Sequence, residues 1–166
     1  MDESTYRLAE ALGRELLARQ WQLALAESCT GGGIAQAVTD VPGSSAWFDR
    51  GFVTYSNAAK VELLGVQAAT LERVGAVSQE IALEMAAGAL THSRADLVLA
   101  VTGIAGPGGG SVDKPVGTVY IACQLRGGLG VCIRKQFAGG RCGVRRQVVA
   151  FCLQLAREQA YVPGQV

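Results

Sequence analysis

The chain has 166 residues, of which 49% are hydrophobic and 17% charged, and its formal net charge is +1. This length predicts one domain with a full hydrophobic core, and the balanced charge argues against disorder and against a broad electrostatic surface for nucleic acid. The longest apolar runs fall far short of the roughly 20 residues of a membrane-spanning helix, and the N-terminus lacks the basic and apolar regions of an export signal.

The first half of the chain predicts helices that alternate with strands. Ser4 can cap a first helix and Asn57 a later, short one, while Pro42-Gly43 stops the helix between them. The predicted bounds are about 4–20, 34–41 and 57–64 for the helices and 22–26 and 51–55 for the strands.

The second half predicts a helix capped by Ser78 and then a continuous apolar run, Leu97–Val101, typical of a strand that helices cover on both faces. The runs 117–125 and 129–137 predict an antiparallel hairpin, and a last helix begins at about Arg141. Strands joined through helices and followed by a hairpin predict a three-layer αβα domain with a mixed, partly parallel sheet over the whole chain.

The most informative segment is the run from Glu27 to Gly33, which reads Glu-Ser-Cys-Thr-Gly-Gly-Gly. It directly follows the first predicted strand and precedes a helix. Proteins of the α/β class use this arrangement to place a nucleophile, or an anion, against unpaired N–H groups at a helix N-terminus. Ser28 and Cys29 are therefore the candidate nucleophiles.

Few residues could act as the general base. His92, the single histidine, ends a predicted helix, which disfavours Ser-His-Asp and Cys-His arrangements. No histidine cluster or close pair of carboxylates indicates a metal site, and no metal or other cofactor is predicted. Lys60 opens a helix after the strand that ends at Tyr55, and in a desolvated site it could accept a serine proton. Spacing alone leaves open that Lys60 is an exposed helix lysine and Tyr55 a core residue.

A glycine-rich segment at 102–111 follows the central strand and must be a loop, since five of its ten residues are glycine. It contains no Walker-type phosphate motif, and it fails the dinucleotide fingerprint because it opens no helix. Its N–H groups could close around a phosphate, and a structural tight turn explains the glycines almost as well. A small basic cluster is likewise either a local anion site or a solvated face. Its members are Arg134, Lys135, Arg141, Arg145 and Arg146.

The five cysteines are odd in number and show no C-x-x-C spacing. This pattern argues against a disulfide framework and against a structural zinc site. A reduced cytoplasm is therefore the predicted location.

Several motifs, in one order along the chain, resemble a known family. They are Ala26-Glu27-Ser28-Cys29-Thr30-Gly31-Gly32, Gly51-Phe52-Val53-Thr54-Tyr55-Ser56-Asn57 with Lys60, Gly75-Ala76-Val77-Ser78, Thr102-Gly103-Ile104-Ala105-Gly106-Pro107 and Lys114-Pro115-Val116-Gly117-Thr118-Val119. Together they closely resemble the nicotinamide-nucleotide amidase family, which is the C-terminal domain of the competence/damage-inducible CinA proteins and also occurs alone. The resemblance runs from about residue 5 to about residue 160.

The resemblance implies hydrolytic deamidation of nicotinamide mononucleotide to nicotinic acid mononucleotide and ammonia, in pyridine nucleotide recycling. It implies Ser28 as nucleophile, Lys60 as general base, and Tyr55 and Thr102 as polar partners of that pair or of the substrate amide. A homodimer is expected, with no nucleic-acid or membrane partner and no cofactor. N–H groups from Thr30 to Gly32 would hold the oxyanion, and the loop from Gly106 to Ser111, helped by Arg141 or Arg145, would hold the phosphate. The expected substrate contacts are Thr30, Gly31, Gly32, Gly103, Ala105, Gly106, Gly108, Gly109, Gly110, Ser111, Arg141 and Arg145.

Two positions depart from the family pattern. Gly33 stands where a larger apolar residue is expected, and Gly140 stands where an acidic residue is common. Neither belongs to the implied pair, so they bear on substrate affinity rather than on the reaction. Two other functions stay open. One is a catalytically silent nucleotide-binding or protein-interaction module linked to competence or DNA damage, and the other is a thiol amidase that uses Cys29.

Overall fold

The computed structural model describes residues 2–161, in which helices cover both faces of one sheet. The elements are α1 (Glu3–Arg19), β1 (Leu23–Glu27), α2 (Gly33–Thr39), a 3-10 turn (Ser44–Ala46), β2 (Phe48–Val53), α3 (Asn57–Leu64), α4 (Ala68–Val74), α5 (Gln79–Thr91), β3 (Leu97–Gly103), β4 (Thr118–Leu125), β5 (Val131–Gln136) and α6 (Arg141–Ala160). No helix among these residues is both long enough and apolar enough to cross a membrane.

The sheet is mixed, in the order β2-β1-β3-β4-β5. β1 pairs in parallel with β2 on one side and with β3 on the other, and β4 and β5 add an antiparallel pair. Glu27 at the end of β1 pairs with Val53 of β2 and Val101 of β3. The carboxyl ends of three strands therefore meet at one edge of the sheet, the place where open α/β sheets bind ligands.

The two faces of β1 belong to two different cores. Leu23 and Leu25 pack with apolar residues of α1, α2 and α6, whereas Ala24 and Ala26 pack with residues of α3 and α5. All four side chains are 0% exposed. A strand buried on both faces in this way confirms the predicted three-layer αβα arrangement.

Several predicted boundaries need correction. The N-cap of α1 is Asp2, whose carboxylate accepts the Thr5 N–H, and Ser4 instead donates its hydroxyl to that carboxylate. The N-cap of α3 is Ser56 rather than Asn57. β2 begins and ends earlier than the predicted 51–55, and α4 was not predicted at all.

The second helical layer is held together by a close approach of α3 to α5. A Cβ added at Gly88 of α5 would overlap the carbonyl group of Leu64, the last residue of α3. Leu64 is itself buried. Glycine at this point therefore allows α3 to lie against α5, and α3 is the helix that carries Lys60.

Candidate active site

The candidate site lies where the carboxyl ends of β1, β2 and β3 meet. Ser28 directly follows β1, and its N–H donates to Val101 O of β3. The N–H of Thr54, directly after β2, donates to Glu27 O. These two bonds continue the sheet past the strand ends, so the backbone that carries Ser28 is fixed on both sides.

Ser28 and Lys60 form the central pair of the site. Lys60 Nζ lies 3.0 Å from Ser28 Oγ, 2.8 Å from Thr54 O and 3.4 Å from Tyr55 O. Lys60 is 1% exposed and Ser28 is 8% exposed. Burial lowers the pKa of the lysine, because the charged amine loses its hydration. A neutral amine would donate its two hydrogens to the two carbonyl groups and turn its lone pair toward the serine hydroxyl.

The burial of Lys60 follows from the way α3 begins. Ser56 caps the helix by accepting the Ala59 N–H, and Lys60 lies one turn later on the same face as Leu64. These two positions are the buried ones of α3. The apolar stem of Lys60 thus runs through the interior, and only its amine reaches the strand ends.

Glu27 has a role that the sequence analysis did not predict. Its side chain is 1% exposed and accepts the N–H groups of Gly32, Ile34 and Ala35 at 3.1, 3.1 and 2.8 Å. It therefore caps the N-terminus of α2 from inside the protein. The sequence signal for this capping role was a carboxylate at the end of an otherwise apolar strand, shortly before a glycine run.

This capping changes the expected oxyanion site. The N–H of Gly32 is bound to Glu27, and the N–H of Gly31 donates to Ser28 O, so neither is free for a substrate. The N–H groups of Cys29 and Thr30 donate to no acceptor within residues 2–161. Of the N–H groups from Thr30 to Gly32 that were expected to bind the oxyanion, only that of Thr30 remains available. The N–H of Cys29 is a second available donor.

The side chains of the other predicted polar partners make no hydrogen bond to the reacting atoms of the pair. Thr102 is buried and donates its hydroxyl to Ala76 O at 2.9 Å. Tyr55 is 57% exposed, and its hydroxyl accepts a hydrogen bond from Arg141 at 2.6 Å. Arg141 also donates to Gly106 O at 2.9 Å, so it spans the mouth of the site from β2 to the glycine-rich loop.

Most of these residues line one cleft of about 220 Å³. It contains the Ser28 and Lys60 pair and Arg141 at its mouth. The other lining residues are Cys29, Tyr55, Asn57, Ala76, Val77, Thr102, Gly103 and Ala105. Three of these lining residues were not predicted from the sequence to belong to the site, namely Asn57, Ala76 and Val77.

The glycine-rich loop beyond Gly106 is exposed and does not line the cleft. A Cβ at Gly106 would lie 2.5 Å from the Val116 side chain, and one at Gly110 would lie 2.8 Å from Val116 N. These two glycines are required by packing, which is the structural-turn interpretation. Gly108 and Gly109 meet no such obstacle, and with Ser111 they lie on the surface beside the cleft.

Arg145 is placed away from this cleft. Its guanidinium donates to Thr30 O at 2.8 Å, and it lines a second cavity together with Thr30 and Gly33. Of the two arginines that were expected as substrate contacts, Arg141 lines the Ser28 cleft and Arg145 does not. One turn of α6 separates them, and this turn places Arg141 at the cleft and Arg145 behind it.

Cys29 is poorly suited to act as the nucleophile. Its side chain is 6% exposed. Burial raises the pKa of its thiol to about 12, which opposes formation of the reactive thiolate. The geometry thus favours Ser28 over Cys29.

Known proteins are similar to this chain over most of its length. The family model described as the CinA C-terminal domain matches residues 5–160. The chain is 52% identical to a nicotinamide-nucleotide amidohydrolase PncC of Enterobacter agglomerans, covering 93% of this chain and 94% of that protein. It is 50% identical to the protein of the same name from Escherichia coli K12, covering 95% and 96%. The crystal structure of the competence/damage inducible protein CihA from Agrobacterium tumefaciens superposes with a TM-score of 0.91 at 46% identity, covering 93% of this chain and 94% of that one.

Proposed function

The chain belongs to the CinA C-terminal domain family, and on that premise we propose that it deamidates nicotinamide mononucleotide to nicotinic acid mononucleotide and ammonia. The names of its relatives support this substrate. The observation that carries the mechanism is the 3.0 Å contact between Lys60 Nζ and Ser28 Oγ in a buried cleft. Ser28 acts as the nucleophile and Lys60 as its general base.

In the first half of the reaction, Ser28 Oγ attacks the carboxamide carbon while its proton passes to the neutral amine of Lys60. The Thr54 and Tyr55 carbonyl groups accept hydrogen bonds from that amine, so they hold it in place as it becomes charged. The same proton then passes to the leaving nitrogen. Ammonia departs, and an acyl-enzyme ester remains on Ser28.

The N–H groups of Cys29 and Thr30 are the oxyanion donors in this proposal. They lie in the turn that begins at the nucleophile, and no other acceptor among the described residues occupies them. In the second half of the reaction, Lys60 accepts a proton from the water that hydrolyses the ester. Lys60 then returns this proton to Ser28 Oγ as the ester bond breaks, which releases the carboxylic acid product and restores both residues.

Arg141 and the surface loop at Gly108–Ser111 are the proposed contacts for the substrate phosphate. Arg141 already spans the cleft mouth from Tyr55 to Gly106, and a guanidinium can bind a phosphate through two parallel hydrogen bonds. Tyr55 and Thr102 orient the substrate and the cleft wall. The resemblance further supports a cytoplasmic homodimer that acts in pyridine nucleotide recycling, and light scattering of the purified protein tests the dimer.

The decisive test is ammonia release from nicotinamide mononucleotide by the purified protein and by two matched variants. Ser28→Ala should lose activity by at least a thousandfold and remain folded, whereas Cys29→Ala should keep substantial activity. If the wild type releases no ammonia, the catalytically silent module is the correct interpretation. If Cys29→Ala is inactive and Ser28→Ala is active, the nucleophile is the thiol.

A further inference from the structure

A second cavity, of about 330 Å³, adjoins the turn after Ser28 but shares no lining residue with the Ser28 cleft. Thr30 and Gly33 form one wall, and Arg145, Arg146 and Val149 of α6 form another. Its volume is at the lower end of the range in which proteins bind small molecules. Apart from the backbone N–H of Thr30, none of its lining residues takes part in the deamidation proposed above.

Two hydrogen-bonding groups that line this cavity have no partner within residues 2–161. One is the hydroxyl of Thr30, which is 0% exposed, and the other is the Nε–H of Arg145. Buried polar groups are almost always satisfied, so two orphans at one cavity point to a partner that is absent from the chain itself. That partner must be an acceptor, because the guanidinium can only donate.

The charge of the lining favours an anion. Arg145 and Arg146 contribute two positive charges, and Asp2 at the rim contributes one negative charge. Asp2 Oδ1 accepts the Thr5 N–H and the Ser4 hydroxyl, and within residues 2–161 no ion pair joins Asp2 to either arginine. The lining therefore keeps a net positive charge.

The remaining wall is apolar and open because residue 33 is glycine. A Cβ at Gly33 would lie 3.2 Å from Val149 Cγ2, so a side chain at this position would crowd the wall that Val149 forms. Ala37 and Val149 line the same region. The space beside the arginines is thus suited to a small organic group.

We propose that this cavity binds a phosphate group, either as inorganic phosphate or as the head of a small phosphate monoester, through Arg145, Arg146 and the Thr30 hydroxyl. The apolar wall at Gly33 and Val149 receives the organic part of the ester. Arg145 also holds Thr30 O at 2.8 Å, and Thr30 is two residues after Ser28. A bound phosphate therefore fixes the turn that carries the nucleophile. This proposal does not depend on the deamidation being correct.

Isothermal titration of the whole protein at constant ionic strength, with chloride as the balancing anion, tests this site. The probes are inorganic phosphate and ribose 5-phosphate, which has no amide to hydrolyse. The variants are Gly33→Leu, which fills the cavity, and Arg145→Gln and Arg146→Gln, which remove its charges. Arg94→Gln is the matched control, because Arg94 is exposed and lines neither cavity. Arg141→Gln reports binding in the Ser28 cleft. Circular dichroism shows that each variant is folded.

Binding that weakens at least about tenfold in the Arg145 variant and in a folded Gly33 or Arg146 variant, but not in the Arg94 variant, supports the site. A larger effect of Gly33→Leu on ribose 5-phosphate than on inorganic phosphate supports the ester. Loss of binding in Arg141→Gln alone would place the anion in the Ser28 cleft and overturn the proposal. No saturable binding of either probe up to about 10 mM would also overturn it, and water would then be the partner of the two orphans.

Discussion

Replacement of Glu27 by glutamine changes one side-chain oxygen to an NH₂ group and should strongly destabilise the protein. One Glu27 oxygen accepts the Ala35 N–H at 2.8 Å, and the other accepts the N–H groups of Gly32 and Ile34, both at 3.1 Å. A glutamine has only one acceptor oxygen. In its better orientation it keeps Gly32 and Ile34, and it turns its own NH₂ toward Ala35 N–H.

The cost can be worked from these bonds. One buried N–H without an acceptor costs about 1–3 kcal/mol, and two bonds that lose their charged acceptor weaken by about 0.5–1 kcal/mol each. We expect Glu27→Gln to lower the free energy of unfolding by about 2–5 kcal/mol. This is a large part of the 5–15 kcal/mol that is typical of a domain.

Urea denaturation followed by circular dichroism measures this loss, with Glu72→Gln as the control. Glu72 is exposed on α4, so its substitution should change stability by no more than about 0.5 kcal/mol. Below the transition, kcat of Glu27→Gln should fall at least tenfold, because the turn that carries Ser28 and its oxyanion donors is no longer held. A Glu27→Gln protein within about 0.5 kcal/mol of the wild type would refute the capping argument.

Four further predictions concern the cleft and the helix ends. Because the pKa of Lys60 is lowered by burial, kcat/KM should rise with pH through that lowered value, and Lys60→Arg should be nearly inactive; an active arginine variant would remove Lys60 from the mechanism. In the same range, between the lowered pKa and the ordinary 10.5, only the unfolded state binds the proton, so wild-type stability should rise with pH relative to Lys60→Met; a flat difference in denaturation midpoints would contradict this. Nicotinamide riboside should be at least a tenfold poorer substrate than the mononucleotide, and equal kcat/KM values would show that the cleft mouth and loop bind no phosphate. Gly140→Asp should supply the side-chain cap that α6 lacks and stabilise the protein by about 0.5–1 kcal/mol, yet raise KM for the mononucleotide by placing a negative charge beside Arg141; an unchanged KM would separate Arg141 from the phosphate.

The strand end that carries Ser28 could be predicted from the sequence because it depends on local pattern. An apolar strand, a polar triplet and three glycines leave few alternatives to a strand end that meets a helix start. The parallel pairing of β1 with its two neighbours then follows from the helical connections, and the structure confirms it.

The environment of Lys60 could not be predicted in the same way. Spacing on a short helix with little amphipathic character leaves an exposed lysine as a valid interpretation. Its burial depends on the packing of α3 against α5. It also depends on the carbonyl groups of Thr54 and Tyr55, which lie in the segment after β2. Tertiary contacts, rather than periodicity, decide which face of such a helix is inside.

The sequence could not show which of Arg141 and Arg145 lines the Ser28 cleft, because this too depends on tertiary packing. Both occupy the first turns of one helix, and either could face a phosphate from sequence alone. Packing of α6 against α1 and α2 fixes the position of this helix. The one turn between the two arginines then places them at two different cavities. The inward-facing carboxylate of Glu27 was likewise hidden, because its partners are backbone groups that no residue pattern displays.

The close approach at Gly88 affects how large-scale mutagenesis of this protein would be interpreted. Any side chain at position 88 must push against the end of α3, and the resulting displacement would carry the amine of Lys60 away from Ser28 before the fold is lost. A library selected for turnover would therefore be depleted at position 88 as strongly as at positions 28 and 60. A library selected only for soluble expression would tolerate small residues there. The difference between the two libraries at position 88 would measure how accurately the amine of Lys60 must be placed. Position 88 would report this although no substrate touches it.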